Sequence, residues 1–197
     1  MLVDLPLFLA VVGTSLYLLG FACYIHLVIR RGVSPNASTW LIWAVLGVVN
    51  AVTYNSLSGD WVKSVMAYAG ALTNGLTFVI AGVSGRFGRL SVVDKVIAAF
   101  GLLAIAVWLA NKNTPYANGM VMSCFMISTV PTLRSTWREP SRENPLPWLI
   151  LAVSYLFAVS VVLLRWTQMW DMMFPIVGLF DSLSVALLSL RPSRKLG

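Results

Sequence analysis

Two polar residues sit where a membrane-embedded chain tolerates them least. Asp181 lies in the apolar run from Gln168 to Leu190, ten residues before Arg191, the first charge that follows it. At 1.5 Å per helical residue that is about 15 Å, half of a ~30 Å hydrocarbon core. An acid at that depth costs at least ~2.5 kcal/mol, so it normally faces a bundle interior or a wet cavity and marks a solute or proton path. Asn74 is its counterpart. Met66 and Asn74 are eight apart and precede Gly75-Leu76, while Met173 and Asp181 are eight apart and precede Ser182-Leu183. The bland alternative is that both merely bond neighbouring helices, at ~0.6 kcal/mol per bond.

Further polar groups are within reach of these two. Asn50 and Tyr54 are four apart and share a helix face. The corresponding run of the second half offers Ser154, Tyr155 and Ser160. A pocket of Asn50, Tyr54, Asn74, Ser160 and Asp181 holds several hydrogen-bonding groups and one titratable group, which suits a small polar or cationic solute. Thr53, Thr73 and Thr77 add hydroxyls that readily bond their own helix backbone. Pro131 removes a backbone N–H, so with Thr132 it is a candidate gate hinge, or else a helix stop. His26, the only histidine, lies one turn from Arg30 and Arg31 as a gate residue or a satisfied interface side chain. One His and two Cys, Cys23 and Cys124 inside apolar runs, offer no metal spacing, no disulfide and no cofactor site.

Apolar residues make up 58% of the chain and charged residues 11%, against the ~25% charge of a soluble protein. These proportions describe an all-α integral membrane protein forming a single membrane domain. Runs of spanning length fall at 5–29, 38–57, 61–84, 92–110, 115–134, 147–165 and 168–190, with helix starts at Ser38 and Pro115. Seven spans put Lys63, Lys112 and Arg165 on one side and the other eleven of the fourteen Lys and Arg on the opposite side. That bias places the N-terminus outside and the C-terminus in the cytoplasm. It also makes the net charge of +7 a matter of topology and lipid headgroups, with no nucleic-acid partner. Glu139 and Glu143 among Arg134, Arg138 and Arg142 read as a solvated loop. All eight Trp fall near run ends, as an interfacial belt requires.

An internal repeat organises the chain. Trp40–Val45 and Trp148–Val153 agree at five of six positions, offset by 108, and Asn74 and Asp181 are offset by 107. Residues 1–86 then form one three-helix unit, 87–112 a linker helix and 113–197 a second unit. This is a 3+1+3 layout of parallel repeats, whose solute sites lie near the midplane between units.

On these features the chain resembles the PQ-loop superfamily, which includes the SWEET sugar transporters. The stretch Ile127-Ser128-Thr129-Val130-Pro131-Thr132-Leu133-Arg134, followed by Trp137, Arg138, Ser141 and Trp148, carries the resemblance. Pro131-Thr132 stands where that family has Pro-Gln. The first copy, Tyr24-Ile25-His26-Leu27-Val28-Ile29-Arg30-Arg31, lacks the Pro, and His26 stands near the Gln position. The resemblance implies alternating access between two three-helix bundles, solute contact by the third and seventh helices where Asn74 and Asp181 fall, and an Asp of the last bundle as proton carrier.

The expectation is therefore a small-solute transporter, with a non-transporting receptor or sorting factor of the same fold as the alternative. A retinal protein is excluded because Lys63, Lys95, Lys112 and Lys195 all lie at run ends or beyond. An enzyme is not indicated, since no nucleophile has a base in view. The compact loops point to a bacterial inner membrane, and a homo-oligomer is compatible with the sequence.

Overall fold

In the computed structural model the structure describes residues 4–30, 32–85 and 114–192, with isolated positions between 92 and 110. These residues are helical with short connections, and no strand occurs among them. The helices are α1 (Leu5–Ile29), α2 (Ala37–Ser58), α3 (Trp61–Val83), α4 (Thr114–Arg138), α5 (Pro145–Leu164) and α6 (Met173–Ser189). Short 3-10 turns, Pro140–Arg142 and Met169–Met172, lead into α5 and α6.

Helix starts follow from local chemistry. The side chains of Asp4, Asn36, Asp60 and Asn144 accept from the amides of Leu7, Thr39, Val62 and Leu146 at 3.0–3.3 Å. Each satisfies one of the donors a helix leaves orphaned at its N-terminus. Asn36, not Ser38, therefore starts α2. Gly59 takes the left-handed conformation, φ 60°, in the tight turn between α2 and α3.

Among the described residues, five helices are long and apolar enough to cross a membrane: α1, α2, α3, α5, and α6 with its 3-10 lead-in. That pattern defines an integral membrane protein. The sequence expects seven spans. α4 forms where one of them is expected, but its Thr, Ser and Asn content leaves it out of the apolar set. The run at 92–110 falls largely outside the described residues.

Helix pairings come in matched sets. α2 packs on α3 as α5 packs on α6; α1 touches α3 as α4 touches α6; and α1 crosses to α5 as α4 crosses to α2. One end of the bundle carries the loops 32–36 and 139–144, joined by Ser34 N–H donating to the Arg142 carbonyl at 3.1 Å. A cluster of rings lies beneath these loops, with Tyr24 4.9 Å from Trp40 and 5.6 Å from Trp148, and Trp43 6.0 Å from Trp148. We call this the aromatic end. The turns 59–60 and 165–172 form the ion-pair end.

The tryptophans correct one expectation. Trp61, Trp137 and Trp166 are exposed, as a belt requires, and Trp170 is half-buried. Trp40, Trp43 and Trp148 are buried in the core, and Trp108 lies outside the described residues. Burial of the latter three is tolerable because indole N–H groups find partners. Trp43 Nε1 donates to Ser128 Oγ at 2.8 Å and Trp148 Nε1 to Glu143 at 3.0 Å.

Candidate functional site

A cavity lies at mid-depth, lined by residues of all six helices. Asp181 is eight residues from either end of α6, about 12 Å from each. Asn74 occupies a similar depth in α3. Both side chains line the cavity, as does Asn50 of α2. The centre of a water molecule has about 50 Å³ to move in. One enclosed water needs roughly 10–15 Å³ on that measure, so several waters or a solute of several heavy atoms fit.

The oxygens at this site are underused. Asn74 and Asp181 are buried, with 5% and 6% of their surfaces exposed, and Asn74 Oδ1 and Asp181 Oδ1 have no hydrogen-bond partner. A buried acceptor left unsatisfied costs ~1–3 kcal/mol, more if charged. The cavity itself offers these oxygens water or solute. Small residues open the space. A Cβ on Gly47 would lie 3.2 Å from Ala71 Cα and 3.3 Å from Asn74 Nδ2, so this glycine lets α2 approach α3. At Gly178 a Cβ would collide with the ring of Tyr155, so glycine on α6 makes room for that ring against the cavity.

Other expected site residues fall outside the lining. Ser160 faces away, and its hydroxyl bonds the Leu156 carbonyl at 2.9 Å. Tyr155 takes the cavity position on α5; five residues further on, Ser160 is turned about 140° around the helix. Tyr54 lies one layer toward the ion-pair end. Its ring packs 5.1 Å from Phe174 and its hydroxyl donates to the Asp171 carbonyl at 2.8 Å. His26 is exposed in the last turn of α1, away from the cavity. Thr53, Thr73 and Thr77 bond their own helix carbonyls at 2.8–2.9 Å.

Pro131 lies inside α4, which continues to Arg138, so it does not stop the helix. Thr132 is buried, and its hydroxyl donates to Thr39 Oγ1 at 3.0 Å; Thr39 donates to the Ser128 carbonyl at 2.8 Å. This chain ties α4 to α2 beside the proline.

Four features are not legible from spacing. Asn118 of α4 is buried and donates to Asn50 Oδ1 and Thr53 Oγ1, both at 3.1 Å. It lies in the first turn of its run, where an Asn reads as part of a polar helix start. Lys63, expected as a loop cation, is buried against Asp171 at 2.6 Å, and Asp171 also accepts from Thr167 and Gln168. Asp60 and Arg165 pair at 2.5 Å beside them. Burial works against Asp60's charge, but the hydrogen bond and charge of Arg165, with the Val62 amide, hold its carboxyl below the usual range. Glu143, expected in solvent, is buried and accepts from Tyr24 Oη at 3.2 Å as well as from Trp148. Burial pushes its carboxyl up to about 7. Glu139 does stay in solvent, paired with Arg142 at 2.9 Å.

Among the described residues no group of three His, Cys, Asp or Glu could hold a metal ion. No family model matches the chain, and neither a curated protein nor a solved structure matches it.

Proposed function

We propose that the chain is a membrane transporter of a small polar or cationic solute, working by alternating access between α1–α3 and α4–α6. The observation that carries this reading is the cavity between the two sets, into which Asn74 and Asp181 each present an unpartnered oxygen. Asp181 is the group suited to couple a proton to the solute, being the one acid in the lining.

The matched helix pairings support a pair of three-helix repeats, with residues 87–112 as the linker. So does the meeting of residues offset by 107 or 108. Trp40 and Trp148 both pack on Tyr24, Lys63 pairs with Asp171, and Asn74 and Asp181 share the cavity. Equivalent positions that meet in this way are what an axis between two repeats produces. A PQ-loop-type fold is consistent with this layout. Both ends are tied shut across the sets, through Tyr24–Glu143 at one and Lys63–Asp171 at the other, so opening either requires breaking named bonds. Pro131, beside the Thr132–Thr39 link, is the place for α4 to bend.

At the ion-pair end Lys63 and Arg165 are matched by Asp171 and Asp60, leaving uncompensated basic charge at the aromatic end. This favours an orientation with the aromatic end in the cytoplasm and, given the compact loops, a bacterial inner membrane.

The test begins with purified protein screened for thermal stabilisation by sugars, amino acids, nucleosides and polyamines. A ligand at a hundredfold excess over Kd adds ~2.7 kcal/mol to stability. A hit lost in Asn74→Ala, followed by uptake into proteoliposomes, supports the reading. Pro131→Ala is expected to slow uptake and leave binding intact. Ligand that binds but is never carried into the vesicles would instead make the chain a receptor of the same fold.

A further inference from the structure

We propose that the cavity takes a small organic ammonium ion, with its charge against Asp181 and its methyl or methylene groups against aromatic rings. This rests on the solute-site reading above and narrows it to one chemical class.

The charges define the sign. Asp181 is the only carboxyl among the eighteen lining residues; the phenols of Tyr17 and Tyr155, the latter facing Asp181, are the other titratable groups there, and none of the eighteen is Lys, Arg or His. Lys63 is bound to Asp171 at the ion-pair end, and Arg191 stacks over Trp137 at 3.8 Å from its centroid; neither lines the cavity. The two unpartnered atoms in the lining are both acceptors, Asn74 Oδ1 and Asp181 Oδ1. Nδ2 of Asn74 is turned toward Gly47. An anionic solute would meet acceptors and a like charge in a poorly hydrated space. A cation supplies the counter-charge that a buried carboxylate otherwise lacks.

The walls define the shape. Seven of the eighteen lining residues are aromatic. Trp43 and Trp148 stand at 72°, Tyr155 and Phe174 at 74°, and Tyr17 and Tyr155 at 86°. Rings set near right angles can each turn a face toward one point. That is how quaternary ammonium ions are caged, since the ring quadrupole attracts a cation over its face. A sugar would use the rings and the acceptors but gives no reason for a buried acid among them.

Choline, tetramethylammonium, dimethylbutanol (the uncharged isostere of choline) and glucose are the probes, each titrated into the purified full chain with thermal stability as the readout. Choline and tetramethylammonium are expected to stabilise the protein, and dimethylbutanol and glucose to do so at least about tenfold more weakly in Kd. Proton and ammonium compete for one carboxylate, so choline binding should weaken as pH falls. Asp181→Asn should remove both the preference for charge and the pH dependence. Because proton competition is read in the unaltered protein, the proposal stays testable if that variant does not fold. Glucose or dimethylbutanol binding as well as choline, and lost in Asn74→Ala, would overturn the ammonium assignment and keep the solute site. Failure of every probe, or binding indifferent to both pH and Asn74→Ala, would overturn the ammonium assignment and remove its support from the solute site as well.

Discussion

Buried ionisable groups at opposite ends of the bundle, the Lys63–Asp171 pair and Glu143, differ in how they are compensated, and the difference is measurable. Lys63 and Asp171 have fully buried side chains 2.6 Å apart, and Thr167 and Gln168 also donate to the carboxylate. Removing one partner strands the other, at ~3–5 kcal/mol, whereas replacing both by apolar residues of similar volume is often neutral. Lys63→Met should therefore unfold the protein far more readily than Lys63→Met combined with Asp171→Leu, measured by denaturation in detergent. If the double replacement is as damaging as the single one, Asp171 does more than satisfy the lysine. Glu143 has two neutral donors and no buried cation. Burial raises its carboxyl from 4.5 to about 7, while the bonds from Trp148 and Tyr24 and the charge of Arg142 pull the other way. The folded chain thus holds this proton where the unfolded chain has released it. Stability from this group is fullest below about pH 4.5, falls as pH rises toward about 7, and is level above that. The difference corresponds to about 3 kcal/mol at most. Unfolding followed at acidic and alkaline pH should show a smaller drop in Glu143→Gln than in the unaltered chain; an equal drop would assign the effect to another group.

At the level of elements, glycines in the middle of helices serve different ends. A Cβ on Gly178 would strike the ring of Tyr155, while one on Gly75 meets nothing within 4 Å. Gly178→Ala must push Tyr155 off α6 and into the cavity, an overpacking change worth ~1–3 kcal/mol of destabilisation. Gly75→Ala gains helix propensity, ~0.5–1 kcal/mol in favour of folding. Thermal melts of the two variants should shift in opposite directions. A neutral Gly178→Ala would mean that α5 and α6 separate at little cost. The same contrast shows what was readable beforehand. Helix positions follow from long apolar runs with polar caps, and Asn74 and Asp181 stand out because polar groups at bilayer depth are expensive. Helix faces are less legible in the sequence. An apolar residue satisfies a lipid-facing or an inward-facing position equally, so Trp40, Trp43 and Trp148 look like interface residues until a partner for the indole N–H is seen. Ser160 and Tyr155 differ only in azimuth, which an apolar helix does not reveal. The Lys63–Asp171 pair joins residues 108 apart, and nothing local connects them.

For the molecule as a whole, the two ends differ in charge, and under the proposed alternating access they would face different compartments. The ion-pair end has no excess of cations among the described residues: Asp60 answers Arg165, Asp171 answers Lys63, and Asp4 adds a further acid near Arg165. At the aromatic end Glu139 offsets Arg142 through an exposed bond, while Glu143 is engaged with Tyr24 and Trp148. Arg134, Arg138 and Arg191 at that end therefore dominate the charge that an inserting chain presents to the membrane surface. Basic loops are retained on the cytoplasmic side, and paired cations weigh little against them. Replacing Cys23 and Cys124 and introducing Trp166→Cys or Glu139→Cys puts one thiol at each end, both at exposed positions. In intact bacterial cells a membrane-impermeant maleimide should modify the Trp166→Cys protein at once. The Glu139→Cys protein should react only after permeabilisation. The opposite pattern would invert the orientation and put Glu143 on the outer face. Labelling of both thiols in intact cells would mean an inserted mixture, in which case the ion pairs at Lys63 and Arg165 neutralise too little to set the topology.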